Sequence, residues 1–246
     1  MLNKEEFKSI EALKSINPET YAAVQTAFSN NAIEVSEASH TIKNYVAYIK
    51  MSYEMIQKNK PDIKQYAFWG KMNHAICELI TYLDRTTEYR YSKQPIELDT
   101  VNINDIIFSM PEYMDEYLDE DRIYSFDVNE EVTRISANKD KMVVLFKELL
   151  SNAYNVTSPN DEIMISSKPI NDNSQIGIEI SYHDSESEKV TNIDLMSEPF
   201  FTTKESHVGV GLSMVRCISL MHNIDVSIKN NLSDKITTVS VIIPVL

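Results

Sequence analysis

The chain has 246 residues, 43% of them apolar, which is enough for two modest domains with buried cores. A formal net charge of −14 argues against a nucleic-acid partner, since binding a polyanion takes clustered Lys and Arg. No run approaches the roughly 18 to 20 apolar residues that span a bilayer, no basic amphipathic helix suits a membrane surface, and Met1 to Lys14 reads as charged and helical rather than as a signal peptide.

Residues 4–16 carry Phe7, Ile10, Leu13 and Ile16 at helical spacing, closed by Asn17-Pro18. A long helical pattern then runs from Glu19 to Lys58, with Ile42, Val46, Ile49, Tyr53 and Ile56 alternating by four and three, a heptad seam. Lys60-Pro61-Asp62 interrupts it, and Met72, Ile76, Leu79 and Leu83 repeat the spacing up to about Tyr89. Two long helices joined by a short turn make an antiparallel hairpin. A lone hairpin buries one seam only, so the expectation is a homodimer whose two hairpins form a four-helix bundle. Beside that seam, partly exposed, sits His40, whose neutral imidazole is a nucleophile near pH 7.

Ser92 to Asp99, containing Pro95, breaks the period and reads as the linker between a domain at 1–93 and one at 94–246. Beyond it, helices are expected near Asn104–Leu118 and Lys139–Ala153, and strands near Ile123–Val128, Thr133–Ile135, Glu162–Ser166 and Gln175–Tyr182. An irregular lid-like segment, a further helix and strands near Asp225–Lys229 and Lys235–Val245 complete an α+β layer, a mixed sheet with helices on one face. Glu112 to Asp121 holds six carboxylates, but Tyr113, Met114, Tyr117 and Leu118 recur through it, so it reads as a solvated helix face. Five scattered histidines show no zinc spacing. Cys77 and Cys217 lie in helical patterns and read as buried free thiols of a reducing, cytoplasmic compartment.

Two of the four glycines, Gly209 and Gly211, stand just ahead of the helical pattern Leu212, Val215, Ile218 and Leu220. Backbone N–H groups without a Cβ in the way, next to a helix N-terminus, make a phosphate-binding turn. Thr202, Thr203 and Lys204 precede it and offer hydroxyls and a cation. Glu148 and Asn152, four apart in Glu-Leu-Leu-Ser-Asn-Ala, present oxygen ligands from one helical face, suited to Mg2+ shared with phosphates. Asp184, past the end of a strand, is placed to accept a hydrogen bond from an adenine amino group.

The order of these segments, from His40 through Glu-Leu-Leu-Ser-Asn-Ala and Asp184 to Pro-Phe-Phe-Thr-Thr-Lys and Gly-Val-Gly-Leu-Ser, resembles the catalytic core of bacterial sensor histidine kinases over about Glu34 to Pro244. The resemblance implies a dimeric four-helix bundle followed by an α+β sandwich of the histidine kinase/gyrase ATPase type. His40 would accept the ATP γ-phosphoryl group and pass it, in a two-component phosphorelay, to an aspartate of a response-regulator receiver domain. Asn152 would hold Mg2+ with Glu148 near it, Asp184 would recognise adenine, Thr202, Thr203 and Lys204 would belong to the lid, and Gly209, Gly211 and Leu212 would sit at the phosphates. Sensing would come from a partner or from the short N-terminal helix.

The chain departs from the family pattern at several positions. Ser185, Glu186, Ser187 and Glu188 follow Asp184 where the family's first glycine box has two glycines, and His207 replaces the first glycine of the second box. Thr41 stands where an acidic residue commonly helps deprotonate the imidazole, while Asn44 matches a position where a polar residue often places water for dephosphorylation. Three functions therefore stay open: a kinase, a histidine phosphotransferase or phosphatase, and a non-enzymatic dimeric interaction module.

Overall fold

The computed structural model describes residues 16–115, 122–131, 133–184, 198–200, 202 and 208–246, with side chains of 24–37 and 115 not included. The described residues divide into two compact units that part between Gln94 and Pro95. The expected helix at 4–16, the later part of the acidic run and the residues following Asp184 lie outside the described residues.

The first unit is a helical hairpin. Helix α1 (Pro18–Asn59) begins at Asn17, whose side chain accepts from Thr20 N–H at 3.0 Å, so Asn17-Pro18 opens this helix with a cap and a proline at its first turn. The Lys60-Pro61 break leads into a short 3-10 turn (Pro61–Gln65), and α2 (Ala67–Ser92) returns. Trp69, the only tryptophan, closes this end: its ring stacks on Tyr53 at 4.2 Å and its indole N–H donates to Gln57 Oε1 at 3.0 Å. Within one chain only alternate seam positions are buried. Val46, Tyr53, Trp69, Ile76 and Leu83 form the hairpin core, whereas Ile42, Ile49, Ile56, Met72 and Leu79 stay exposed.

The second unit holds β1 (Asp99–Asn102), α3 (Ile103–Asp115), β2 (Ile123–Asp127), β3 (Arg134–Ala137), α4 (Lys139–Tyr154), β4 (Glu162–Ile170), β5 (Gln175–His183), α5 (Gly211–His222), β6 (Asp225–Asn231) and β7 (Ile236–Pro244). Five strands form one sheet in the order β2-β4-β5-β7-β6, with β2 parallel to β4 and every other pair antiparallel; β1 and β3 form a separate ladder. Ile176, Ile178, Ile180 and Tyr182 on β5 alternate inward beside Val239, Val241 and Ile243 on β7. They meet Met110 of α3, Leu145, Phe146 and Leu149 of α4 and Ile218 of α5 in one core. Strand β1 is not in the periodicity, because only Val101 of its four residues is buried. Cys77 and Cys217 form no disulfide, as expected, but are half-buried rather than buried.

Two neighbouring titratable groups are buried near the start of α4. His222 accepts from Asn138 N–H on Nε2 at 3.0 Å, and its Nδ1–H donates to the Ile218 carbonyl at 2.8 Å, so it is held neutral. Burial pushes its pKa below the ordinary 6.5; the Ile218 hydrogen bond opposes this and the Lys141 charge adds to it. Lys141, in the first turn of α4, is pushed down to about 8 by burial, with Cys217 acting in the opposite sense. For His222 the unfolded chain binds the proton more readily than the fold, so the stability it contributes is full above its unfolded value and lost as pH falls below it. Urea unfolding at about pH 7.5 and about pH 5.5, either side of the ordinary imidazole value, is expected to show a drop on acidification that is smaller in His222→Gln. An equal drop in both proteins would count against it.

Candidate functional site

Each unit carries one of the two clusters expected from the sequence. On the hairpin, His40 is exposed, and Asn44, one turn along α1, places its amide nitrogen 3.3 Å from His40 Nδ1. Four-residue spacing on a helix makes this contact, so the pair is legible as i, i+4 neighbours. The neighbouring Ser39 side chain is tied to α2: Arg90 donates from Nη2 to Ser39 Oγ at 2.7 Å, and its Nε donates to the Thr86 carbonyl of its own helix at 3.2 Å. A further tie follows one turn on, where Lys43 Nζ meets Asp84 Oδ1 at 2.7 Å. The imidazole thus stands on a braced segment of helix with its other nitrogen, Nε2, directed away from the Asn44 contact. Thr41 is exposed beside it.

In the second unit, α4 is capped by Asn138, whose side chain accepts from Lys141 N–H at 3.1 Å. The helix carries Glu148, 6% exposed, and Asn152, half-buried, one turn apart. Their oxygens are the hard donors that Mg2+ takes, and two side chains leave room for phosphate and water in its shell; among the described residues no group of three His, Cys, Asp or Glu forms a metal cluster.

Asp184 follows the last residue of β5. Its N–H donates to the Lys235 carbonyl at 2.8 Å, and its Oδ2 accepts from Thr237 Oγ1 at 3.2 Å. Thr237 is a candidate site residue that sequence reading missed. It is 3% exposed on β7, opposite Tyr182 in the register, and the strand pairing alone brings it beside Asp184. Burial and the Asp184 carboxylate hold the Tyr182 phenol well above its usual pKa.

Gly209 and Gly211 stand at the turn that leads into α5. Gly209 has φ +73°, a conformation that strains residues bearing a Cβ. Its carbonyl accepts from Phe200 N–H at 2.8 Å, so the residues before and after the segment 201–208 are joined at its base. Gly211 is the first residue of α5, and among the described residues no side chain caps this N-terminus, so the backbone N–H groups of Gly211 and Leu212 are candidate donors to an anion. Thr202 is exposed. Thr203 and Lys204, like Ser185 to Glu188 and His207, lie outside the described residues.

Among the described residues no helix is long and apolar enough to cross a membrane. Residues 137–246 match the family model described as histidine kinase-, DNA gyrase B-, and HSP90-like ATPase. No curated protein matches the sequence. Among solved structures, the chain is similar to the catalytic domain of the histidine kinase ThkA, with a TM-score of 0.52 and 22% identity over 61% of this chain and 96% of that one. It is similar to full-length ShkA in complex with AMPPNP, with a TM-score of 0.68 and 13% identity over 86% of this chain and 45% of ShkA. The Acinetobacter baumannii histidine kinase AdeS matches with a TM-score of 0.53 and 14% identity over 81% of this chain and 94% of that one. At these identities the likeness is one of fold. The stretch from Ala137 through α4, β4, β5, the glycine turn, α5, β6 and β7 thus matches the histidine kinase-, DNA gyrase B-, and HSP90-like ATPase model, and the chain shares the fold of sensor histidine kinase catalytic domains.

Proposed function

We propose that this protein is a two-component histidine kinase that transfers the γ-phosphoryl group of ATP to His40 and passes it to an aspartate of a response-regulator receiver domain. One observation carries the reading: a single chain holds an ATPase domain of this family at 137–246 and a helical hairpin presenting an exposed, braced imidazole. ATP would lie with adenine at Asp184 and Thr237, and with its phosphates at Gly209, Gly211 and Leu212. Asn152 would hold Mg2+ with Glu148 beside it, while Thr202, Thr203 and Lys204 would close over the nucleotide. Mg2+, when bound, would neutralise phosphate charge; the protein's own task is to hold the γ-phosphoryl group in line with His40 Nε2.

The hairpin's exposed Ile42, Ile49, Ile56, Met72 and Leu79 support a homodimer, since a second copy would cover that seam. A cytoplasmic site fits the same reading. In a labelling assay with γ-labelled ATP, incorporation into the wild type should be lost entirely in His40→Gln; label surviving in the variant would refute the assignment. The His40–Asn44 contact favours a second reading, a histidine phosphotransferase or phosphatase, which would exchange phosphate with a phosphorylated regulator in the absence of ATP.

A further inference from the structure

We infer that the turn end of the hairpin is a docking surface for an anionic lipid membrane, on which Lys58, Lys60, Lys64 and Lys71 meet the headgroups while Tyr66 and Phe68 enter the interface. Helix α1 ends and α2 begins here, so two helix ends and the 3-10 turn share one end of the unit. All four lysines are exposed, and among the described residues none of them makes an ion pair. A single carboxylate, Asp62, stands among them, in a chain whose formal net charge is −14. Tyr66 and Phe68 are 51% and 60% exposed, and their rings pair with centroids 5.7 Å apart. Beneath them Trp69 is buried against Tyr53 and held by Gln57, and Ile63 packs on the hairpin core. The exposed rings thus stand on a packed base, which lowers the ordering cost of docking.

Charge decides the occupant. An acidic chain is drawn to an anionic bilayer only through a local excess of cations, and salt confines that balance to about 8 Å at physiological ionic strength. Along α1 the next carboxylate is Glu54, about 9 Å below Lys60 at the helical rise. Along α2 it is Glu78, about 10 Å beyond Lys71 and within 3.3 Å of His74. A negative surface therefore attracts this unit with the turn end foremost. All four cations are lysines, the residue depleted at protein–protein interfaces, where Arg is enriched; a headgroup layer needs charge but no fork geometry. Each lysine near such a surface is worth about fivefold in partitioning. Rings that leave water add to this, so the patch joins the two kinds of signal that hold a peripheral protein to a bilayer. Sequence periodicity hides it, because neither helix is itself basic and amphipathic and the lysines gather only where the chain turns back.

Flotation of the full chain with phosphatidylcholine vesicles containing about 30% phosphatidylserine, beside vesicles of phosphatidylcholine alone, tests the assignment. The wild type should float with the anionic vesicles and not with the neutral ones, and should be released near about 1 M salt, where screening is nearly complete. Lys60→Gln with Lys64→Gln should weaken partitioning about 25-fold, two lysines at about fivefold each. Phe68→Ser should weaken it about tenfold or more. Lys139→Gln with Lys229→Gln, which removes the same charge from exposed positions of the second unit, should leave it unchanged. Trp69 emission checks that the packed base survives in each variant. No flotation with anionic vesicles, equal flotation with neutral ones, or an equal loss in the two lysine pairs would overturn the inference. Binding of soluble poly-glutamate without binding of anionic vesicles would assign the patch to an acidic protein and overturn it as well. None of these readouts involves His40, so the result stands apart from the kinase reading.

Discussion

Asn152→Ala should abolish measurable binding of ATP with magnesium in a calorimetric titration, while the wild type binds. Asn152 is half-buried on α4, one turn beyond the buried Glu148, and its amide oxygen is the hard donor proposed for the ion. Truncation removes that donor and leaves the ion two options, an incomplete shell or an additional water. Loss of even a supporting contact at a metal site costs about 10-fold to 100-fold in affinity, so loss of a direct ligand should exceed about a hundredfold. The fold should survive, because the core-facing side of α4 is built from Met142, Leu145, Phe146 and Leu149 and not from Asn152. A folded wild type that binds no ATP at millimolar concentration would instead favour the phosphotransferase reading, with Glu186 and Glu188 repelling the triphosphate. Equal binding by the wild type and the variant would remove Asn152 from the site.

Ile49→Lys should convert a dimer of the 28.2 kDa chain into a monomer, read by sedimentation or light scattering. Ile49 is 53% exposed in the single chain and shares its seam with Leu79, 43% exposed. A second hairpin laid on that face would bury both. A lysine there would then be an unpaired buried charge, present once in each subunit, and each costs several kcal/mol. The dimer should weaken by well over about a hundredfold. Met55→Lys, also on an exposed position of α1, should leave the dimer intact, because Met55 lies away from the heptad seam. Trp69, packed on Tyr53 inside each hairpin, should keep its fluorescence in both variants if only association is lost. A wild-type monomer, or dimers in both variants, would remove the bundle from the proposal.

Much of the chain was legible because its elements repeat apolar residues at one period over many residues. The heptads of α1 and α2, the α4 face from Met142 to Leu150 and the alternation along β5 are of this kind. The glycine turn was legible for another reason: Gly209 needs a positive φ, and the helix after it starts where the apolar pattern resumes. The His40–Asn44 contact follows from four-residue spacing once the helix is granted.

What those periods cannot carry is which surfaces meet. A heptad names seam residues but does not say that Val46 and Tyr53 pack within the chain while Ile49 and Ile56 remain exposed, since that depends on where α2 returns. Strand alternation does not give the order β2-β4-β5-β7-β6, nor the register that sets Thr237 beside Asp184. The short β1 and the His222 contact at the start of α4 exist only because distant segments were brought together. The sequence by itself determined the elements and the residue types of the two clusters, because backbone period and glycine stereochemistry are local. Only the tertiary structure decided the partners of Asp184, His222 and the hairpin seam, because hydrogen bonds and packing between segments far apart in sequence depend on three-dimensional register.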